Sequence, residues 1–412
     1  MKASKGLRAA LGRYLLGSRP RAGGENPRVL FAGGGTGGHV LPALSVAGEL
    51  ARGGLGKKDI VFVGARRGQE KTLVPAAGFE VRLLPGRGLR RQLSAENVKA
   101  LAEFVEALVA SVRLLRELRP DVVVAVGGYA SVAPSLVAWL SGVPLAVLNV
   151  DVVPGASNRL LARLAAVTVA AWEGSGLPRC VVTGAPLRPE LAEADKSPAA
   201  RTRAREALAI PTNRHLVVVV GGSLGSATLN AAALELAEIW QNRDDIVLWH
   251  VVGRRDWPTH AKLWSGSDVP GRILYRPVEY EERMGDLLVA SDVVVARSGA
   301  GSVAELAVVG RPAILVPFPG APGDHQAANA AILCSAGAAL MVRDADATGA
   351  RLASLLDGLL ASPARLEAMG MRACGLGRPH AAAEVASIVG ELAGRGRMDV
   401  PSVGAVGTRS SR

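Results

Sequence analysis

The sequence has few cysteines and few aromatic residues. Cys180, Cys334 and Cys374 are scattered and form no CxxC motif, which excludes a closed disulfide framework and favours a reducing compartment. Aromatic residues make up 4% of the chain, and no known nucleic-acid module is recognisable, so nucleic acid is not the expected partner. The first residues lack an apolar core followed by a cleavage site, so we expect no signal peptide.

A convincing membrane-spanning run is also missing. Residues 122–150 carry no charge and superficially resemble a span. A glycine pair, a proline and a Gly-Val-Pro step interrupt this stretch, at Gly127-Gly128, Pro134 and Gly142 to Pro144. The pattern therefore predicts a buried strand, a turn, a short helix and a second buried strand.

Positive charge is in excess. The formal net charge is +12, and basic residues are concentrated before the first strand, where Glu25 is the single acid. Such an excess predicts anionic partners, such as phosphorylated substrates or acidic lipids. A solvated basic tail is the alternative interpretation of the N-terminal part.

Length and patterning together indicate an α/β protein of two domains. A chain of 412 residues with 49% hydrophobic content suits two cores. Strands are predicted at 29–32, 60–63, 81–84, 122–126, 145–148 and 181–183, and then at 216–220, 247–252, 273–275, 293–295, 313–316 and 338–342. Helical patterns separate them; the longest is predicted to bury Val98, Leu101, Val105, Leu108, Val112 and Leu115. This alternation predicts parallel sheets covered on both faces.

The two series of strands predict two Rossmann-like domains in tandem. Expected bounds are a basic segment at 1–26, an N-terminal domain at 27–185, an interdomain connection at 186–213, a C-terminal domain at 214–375, a C-terminal helix at 376–394 and a disordered tail at 395–412.

A glycine-rich loop follows the first strand of each series, at residues 33–38 and 221–226. Such loops bring backbone amides and a helix N-terminus close to an anion. Neither loop fits GxGxxG, so a dinucleotide-dependent oxidoreductase is the second choice of class. His39 ends the first loop, where a neutral imidazole can act as a general base; a packing or capping histidine is the alternative.

Two further loops in the second half carry candidate ligands. Residues 291–305 run from a strand through a turn of small residues into a helix, whose amides and dipole can neutralise a diphosphate. Glu305 lies about one turn into that helix and can accept two ribose hydroxyls; a solvated or capping glutamate is the alternative. The loop at 317–329 brings His325, Gln326 and Asn329 together, groups suited to sugar hydroxyls. No metal-ligand spacing is evident.

Taken together, these segments resemble the MurG family, the N-acetylglucosaminyltransferases that convert lipid I to lipid II. Over roughly residues 27–390 the family's motifs occur in order: GGTGGHVLPAL, LVPAAGF, GGYAS, PGASNRL, TGAPLR, GGSLGS, ARSGAGSVAEL and DHQAANA. The resemblance implies a GT-B fold with an interdomain cleft. It also implies inverting transfer of GlcNAc from UDP-GlcNAc to the C4 hydroxyl of lipid I, undecaprenyl-pyrophosphoryl-MurNAc-pentapeptide, without metal or cofactor.

The resemblance also implies roles for individual residues. The donor diphosphate is assigned to Ala300, Gly301 and Ser302, with Ser223 and Arg188, the ribose to Glu305, and GlcNAc to His325, Gln326 and Asn329. His39 matches the proposed base. Asp151 matches an Asn associated with sugar hydroxyls and is expected to be both a catalytic and a substrate-binding residue. Thr36, Gly37, Gly38 and Tyr129 match the acceptor pyrophosphate side.

The loop at 85–93 mixes leucines with arginines and is expected to meet an anionic bilayer at the cytoplasmic face as a peripheral contact. An exposed basic loop is the alternative.

Several positions depart from the family pattern. Leu148-Asn149-Val150-Asp151 replaces His-Glu-x-Asn, Ala185 replaces Asn, Leu224 replaces Gln, and Glu281 replaces an apolar residue. Two alternatives therefore stay open: a related GT-B enzyme with another acceptor, and a catalytically inactive scaffold of cell-wall assembly.

Overall fold

The computed structural model describes residues 27–66, 68–84, 95–222, 225–263 and 271–394, with backbone alone at 95–101 and 262–263. The basic segment 1–26, the loop at 85–93, Ser223, Leu224 and the tail 395–412 lie outside the described residues.

The first half contains seven strands and five helices within the described residues. The strands are β1 Val29–Gly33, β2 Ile60–Ala65, β3 Glu80–Leu84, β4 Val122–Gly127, β5 Leu145–Asn149, β6 Val167–Ala170 and β7 Cys180–Val182. The helices are α1 Gly37–Arg52, α2 Glu70–Ala76, α3 Ala95–Leu118, α4 Val132–Leu140 and α5 Ala156–Ala162.

The second half begins with two helices and then forms its own sheet. The strands are β8 His215–Val220, β9 Ile246–Val251, β10 Leu274–Val278, β11 Val293–Ala296, β12 Ala313–Leu315 and β13 Ala339–Met341. The helices are α6 Pro189–Ala192, α7 Pro198–Ala207, α8 Ala227–Ile239, α9 Trp257–Leu263, α10 Met284–Ala290, α11 Ala300–Val309, α12 His325–Ser335, α13 Gly349–Leu360, α14 Pro363–Leu376 and α15 Ala381–Leu392.

Both sheets are parallel, which confirms the predicted fold class. Their strand orders are β3-β2-β1-β4-β5-β6-β7 and β10-β9-β8-β11-β12-β13. The order reverses between β1 and β4 in the first sheet and between β8 and β11 in the second. Open α/β sheets bind ligands at such reversals, outside the carboxyl ends of the strands. Both predicted glycine-rich loops lie at these two points.

The central strands are buried on both faces, as parallel strands between helices must be, whereas the edge strands β3 and β7 are largely exposed. The sequence analysis did not predict β6, because its four residues include Thr168 and directly follow an apolar stretch that continues a helical pattern. Residues 122–150 form β4, α4 and β5, as predicted. None of the described helices has the length and apolarity needed to span a membrane.

The predicted inner face of α3 was partly wrong. Val105 is 53% exposed, whereas Ala107, Leu114 and Leu118 are buried. The buried face of α3 is the face that packs against α4. This face is rotated around the helix axis relative to the face predicted from the spacing of hydrophobic residues. The side chains of Val98 and Leu101 lie outside the described part of the helix.

The C-terminal helix returns to the first domain. The segment predicted at 376–394 forms α15, which packs against α1. The predicted connection at 186–213 contains α6 and α7, and α7 packs on α10 of the second domain. The chain therefore joins the two domains twice, once through the connection and once through α15; the domain limits themselves stay a prediction.

A buried carboxylate holds the first glycine-rich loop. Glu70, 1% exposed, accepts hydrogen bonds from the backbone N–H of Gly35 at 2.8 Å and of Ala65 at 2.6 Å. A Cβ at Gly34 or Gly64 would lie within 2.6 Å of this side chain. The glycines are thus required for close approach to the carboxylate, and Glu70 fixes the loop between β1 and α1 to the end of β2.

A buried arginine plays the corresponding part in the second domain. Arg297 follows β11 and donates to the carbonyl oxygens of Val316 and Pro317 at 3.1 and 3.2 Å, and to Ser226 Oγ at 2.7 Å. It also forms an ion pair with Asp344 at 2.5 Å. One side chain therefore ties the ends of three strands together beneath the second candidate site.

Under the second glycine-rich loop lies a chain of buried polar side chains. Asn230 donates to the Val252 carbonyl and to Asp256 at 3.2 and 3.0 Å, so its oxygen must accept from His250 Nε2 at 3.0 Å. His250 Nδ1 is then an acceptor for the Tyr275 hydroxyl at 2.8 Å. Burial is the main reason that the pKa of His250 falls to about 3.

This network predicts acid sensitivity of folding. In the unfolded chain His250 has a pKa of about 6.5, so the folded state binds fewer protons between that pH and about 3. Stability from neutral His250 is therefore present above about pH 6.5 and is lost as the pH falls. We expect a loss of about 2 kcal/mol from this residue between pH 7.5 and 5.

Urea unfolding across that pH range checks the expectation. His250→Gln should show a correspondingly shallower pH dependence, whereas His380→Gln, at an exposed histidine, should follow the wild type. Parallel profiles for wild type and His250→Gln would contradict the assignment of a neutral, buried His250.

Glu70→Gln should lower the free energy of unfolding by about 2–3 kcal/mol. The loss of charge weakens two hydrogen bonds, and the new NH₂ group must face a backbone N–H. Denaturant unfolding measures the change, with Glu106→Gln on the exposed side of α3 as the matched control. Equal stability of the two variants would show that Glu70 does not hold the loop.

Candidate active site

The first half of the site is formed by the loop between β1 and α1. Thr36 is the N-cap residue, and its carbonyl accepts the His39 N–H at 3.1 Å. The Thr36 hydroxyl lies 3.4 Å from His39 Nδ1. A Cβ at Gly127 would lie 3.0 Å from His39 Nε2, so the imidazole is pressed against the end of β4, at the strand-order reversal.

Burial of His39 lowers its pKa. Asp151, a hydrogen bond to the Gly34 backbone and Glu70 act in the opposite direction, while His325 adds to the lowering. The neutral imidazole is therefore favoured at neutral pH, which is the form that a general base needs. The influence of His325 also shows that the second domain reaches His39.

Asp151 follows β5 and faces the second domain. The Asn149 amide donates to the Asp151 carbonyl at 2.6 Å, which shapes the turn after the strand. The Asp151 carboxylate accepts the Asn329 amide at 2.9 Å. Residues 151 and 329 thus meet across the interdomain cleft, the space between the carboxyl ends of the two sheets.

The second half of the site begins at α11. Its N-cap is Gly299, and the intrahelical bonds start with the Val303 N–H and the Gly299 carbonyl. The amides of Ala300, Gly301 and Ser302 thus have no partner within the helix. Open space surrounds the Cβ positions of Gly299 and Gly301, so an anion can approach these amides at the positive end of the helix.

Glu305 and Arg188 are brought together beside this helix end. Burial raises the pKa of Glu305, and the positive charge of Arg188 opposes that rise. Arg188 is the N-cap residue of α6, in the connection between domains, and its Nε is buried. The pair places one cation and one carboxyl group within interaction range at the donor side of the cleft.

The loop after β12 supplies the remaining candidates. His325 opens α12, and its Nδ1 donates to the Pro322 carbonyl at 2.9 Å, which leaves Nε2 as an acceptor in the neutral ring. The Gln326 side-chain oxygen accepts the Phe318 N–H at 2.9 Å. The Ser298 hydroxyl donates to the Gln326 carbonyl at 2.8 Å, so this loop is fastened to the turn before α11.

Asn329 is fully buried, and both sides of its amide are engaged. The NH₂ group donates to Asp151 Oδ1 and to the Ser298 carbonyl at 3.2 Å, and the oxygen accepts the Val152 N–H at 2.9 Å. Its predicted contact with sugar stays a prediction, and would require these bonds to be exchanged.

In the part of the chain that the structure describes, the remaining predicted residues have no hydrogen bond to the groups named above. The ring of Tyr129 lies 6.0 Å from Phe104 of α3, and burial, followed by the charge of Glu103, raises its pKa. Glu281 accepts the Arg283 N–H at 2.8 Å, at the start of α10. Gly37 is buried and Gly38 is exposed in the first turn of α1. Ser223 lies outside the described residues.

Sequence reasoning did not assign the supports of the site. Arg297 and Ser298 lie inside a family motif but were predicted to have no role of their own, Glu70 was not predicted as a site residue, and Asn149 and Asn158 were not paired. Arg297 carried a usable signal, since a charged residue directly after an apolar strand and before a glycine turn must find partners. The hydrogen bond between the Asn149 and Asn158 side chains, at 3.1 Å, could not be predicted in this way, because the sequence spacing of the two residues does not indicate a contact.

Comparison with known proteins agrees with this architecture. Residues 29–169 match the glycosyltransferase family 28 N-terminal domain, and residues 216–387 match the family 28 C-terminal domain. A UDP-N-acetylglucosamine–N-acetylmuramyl-(pentapeptide) pyrophosphoryl-undecaprenol N-acetylglucosamine transferase from Desulforudis audaxviator is 36% identical over 90% of this chain and 99% of its own length.

A protein of the same description from Myxococcus xanthus is 36% identical over 89% of this chain and 93% of its own length. Among solved structures, Acinetobacter baumannii MurG matches with a TM-score of 0.70 at 26% identity, covering 89% of this chain and 99% of that one. The two domains and their cleft are thus the GT-B fold, and this chain belongs to the MurG family of glycosyltransferases.

Proposed function

We propose that this enzyme transfers GlcNAc from UDP-GlcNAc to the C4 hydroxyl of the MurNAc of lipid I, with inversion, and forms lipid II for peptidoglycan synthesis. The observation that carries the proposal is the pairing of His39, at the carboxyl edge of one sheet, with the open N-terminus of α11 at the edge of the other. The relatives described above carry this donor and this acceptor in their names.

The donor is assigned to the second domain. The amides of Ala300 to Ser302 face the diphosphate, and Arg188 adds the positive charge that a leaving diphosphate requires. Glu305 binds the ribose hydroxyls, and His325 and Gln326 bind GlcNAc, the latter through its NH₂ group because its oxygen is engaged. Ser223 completes the phosphate contacts in this proposal.

The acceptor is assigned to the first domain. His39 takes the proton from the acceptor hydroxyl, whose oxygen attacks the anomeric carbon as the bond from that carbon to the diphosphate breaks. The loop from Thr36 to Gly38, together with Tyr129, borders the acceptor pyrophosphate. Binding from opposite faces of one cleft accounts for inversion, because nucleophile and leaving group then lie on opposite sides of the anomeric carbon.

Contact with an anionic membrane surface at its cytoplasmic face is part of the proposal. Leu83 of β3 and Val105 and Val109 of α3 are large apolar side chains that the structure exposes. They lie on the elements that flank the basic loop at 85–93. Apolar side chains beside arginines favour peripheral binding to an anionic leaflet.

A related acceptor is the second candidate function. It is favoured by the altered segment at 148–151, because Asp151 faces the cleft where acceptor and donor sugar meet.

UDP release with and without a short-chain lipid I analogue tests the function. We expect release that depends on the analogue, and a fall in kcat of about a hundredfold or more in His39→Ala with nearly unchanged affinity for UDP-GlcNAc. His380→Ala, at an exposed site, should retain wild-type kcat.

The outcomes separate the alternatives. Release with another lipid or soluble acceptor but not with the lipid I analogue would favour the related-acceptor candidate. A chain that binds UDP-GlcNAc but transfers it to no acceptor would be a scaffold. Normal turnover of His39→Ala would leave the histidine as a helix cap.

Glu305→Ala should weaken UDP-GlcNAc binding by roughly 2–4 kcal/mol, because two ribose hydroxyls lose their acceptor. Calorimetry measures the loss, and Glu305→Gln, which retains one acceptor oxygen, should lose less. Wild-type affinity in Glu305→Ala would remove this residue from the donor site.

A further inference from the structure

The segment after β5 is anchored inside the first domain by buried amides. Asn158 of α5 donates to the Asn149 side-chain oxygen at 3.1 Å and to the Leu148 carbonyl at 3.3 Å. Asn149, 1% exposed, then donates to the Asp151 carbonyl. These bonds fix the backbone at residue 151 from within the first domain and leave the carboxylate to be held by the second.

The same segment is clamped by the second domain. Asn329 contacts both Asp151 and Val152, with one bond to a carboxylate and one from a backbone amide. Its third bond reaches the Ser298 carbonyl, in the turn before the helix assigned to the diphosphate. The interaction between Asp151 and Asn329 therefore exists only while the two domains are closed on each other.

Asp151 belongs to a chain of hydrogen-bonded residues that reaches His39. A Cβ at Gly127 would lie 3.0 Å from His39 Nε2 and 3.4 Å from Asn158 Oδ1, and Asn158 is connected through Asn149 to Asp151. The charge of Asp151 raises the pKa of His39, as that of Glu70 does, whereas His325 lowers it. Glu70 is bonded to the Gly35 and Ala65 amides, so its place is fixed by the first domain alone. Asp151 is the carboxylate whose position depends on the opposite domain.

We propose that Asp151 is a positioning residue that couples domain closure to the general base: held by Asn329 of the opposite domain, its carboxylate stabilises the imidazolium that His39 becomes on taking the acceptor proton. This rests on the proposed function, in which His39 is the base. In this arrangement Asn329 serves as an interdomain latch rather than as a sugar ligand, because all the hydrogens of its amide are donated within the protein.

Two substitutions distinguish the effect of the Asp151 charge from the effect of its hydrogen bond with Asn329. Asp151→Asn keeps an oxygen that accepts from Asn329 and removes the negative charge. Asn329→Ala keeps the charge and removes the latch. Asp324→Asn is the matched control: it removes an exposed carboxylate next to His325, at a residue with φ of 53°, where asparagine is well tolerated.

Titration of His39 by NMR on the full-length protein without substrate is the first measurement. We expect a lower pKa of His39 in Asp151→Asn and a smaller lowering in Asn329→Ala, with no change in Asp324→Asn. In kinetics, the acid limb of kcat/KM for Asp151→Asn should move to lower pH, since the base deprotonates at lower pH. Its plateau kcat should fall on the order of tenfold, with KM for UDP-GlcNAc within about twofold of wild type.

A double-mutant cycle tests the latch itself. Asp151→Asn combined with Asn329→Ala should depart from the product of the single effects on kcat by about threefold or more, as contacting residues do. Unchanged His39 titration in Asp151→Asn, or independent effects of the two substitutions, would overturn the proposal. The titration needs no acceptor, so failure of the proposed lipid I reaction would leave this result readable on its own.

Discussion

The site depends on one constraint: two parallel sheets must present their carboxyl ends to the same cleft. Each sheet reverses its strand order at the centre, and the loops that leave the two central strands at that point diverge. Space for a ligand therefore opens on both sides of the cleft. The loop before α1 leaves β1, on one side of the reversal in the first sheet, and carries a histidine. The turn before α11 leaves β11, on the opposite side of the reversal in the second sheet, and presents the amides of a helix N-terminus.

Loops of this kind need support, because glycine-rich backbone is costly to order. The two domains solve this problem with buried charge of opposite sign. Glu70 accepts backbone N–H groups in the first domain, whereas Arg297 donates to backbone carbonyls in the second. Backbone groups bind each charged side chain, and Asp344 and Ser226 also bind Arg297. Neither charge is therefore buried without a partner, and each one holds its loop to the sheet.

Burial also sets the chemistry of the cleft. It lowers the pKa of His39 and raises that of Glu305, so desolvation shifts both groups toward their neutral forms. A neutral histidine is ready to accept a proton, and Arg188 opposes the shift at Glu305. The positive charge of Arg188 and the helix N-terminus of α11 therefore lie on the donor side of the cleft, where they favour binding of a nucleotide diphosphate.

Much of this protein was determined by local sequence. Apolar β-branched runs specified twelve of the thirteen strands found in the described residues, since burial between helices requires such side chains. The order of motifs identified the family. The strand β6 was not predicted because Thr168 interrupts its short apolar run. The buried face of α3 was predicted incorrectly because packing against α4 determines which face of the helix is covered. The partners of Glu70, Arg297 and Asn329 were decided only by the tertiary structure. Hydrogen bonds between residues far apart in the chain produce no periodic pattern in the sequence from which they could be predicted. The bond from Asn329 to Asp151, for example, forms only where the two sheets meet.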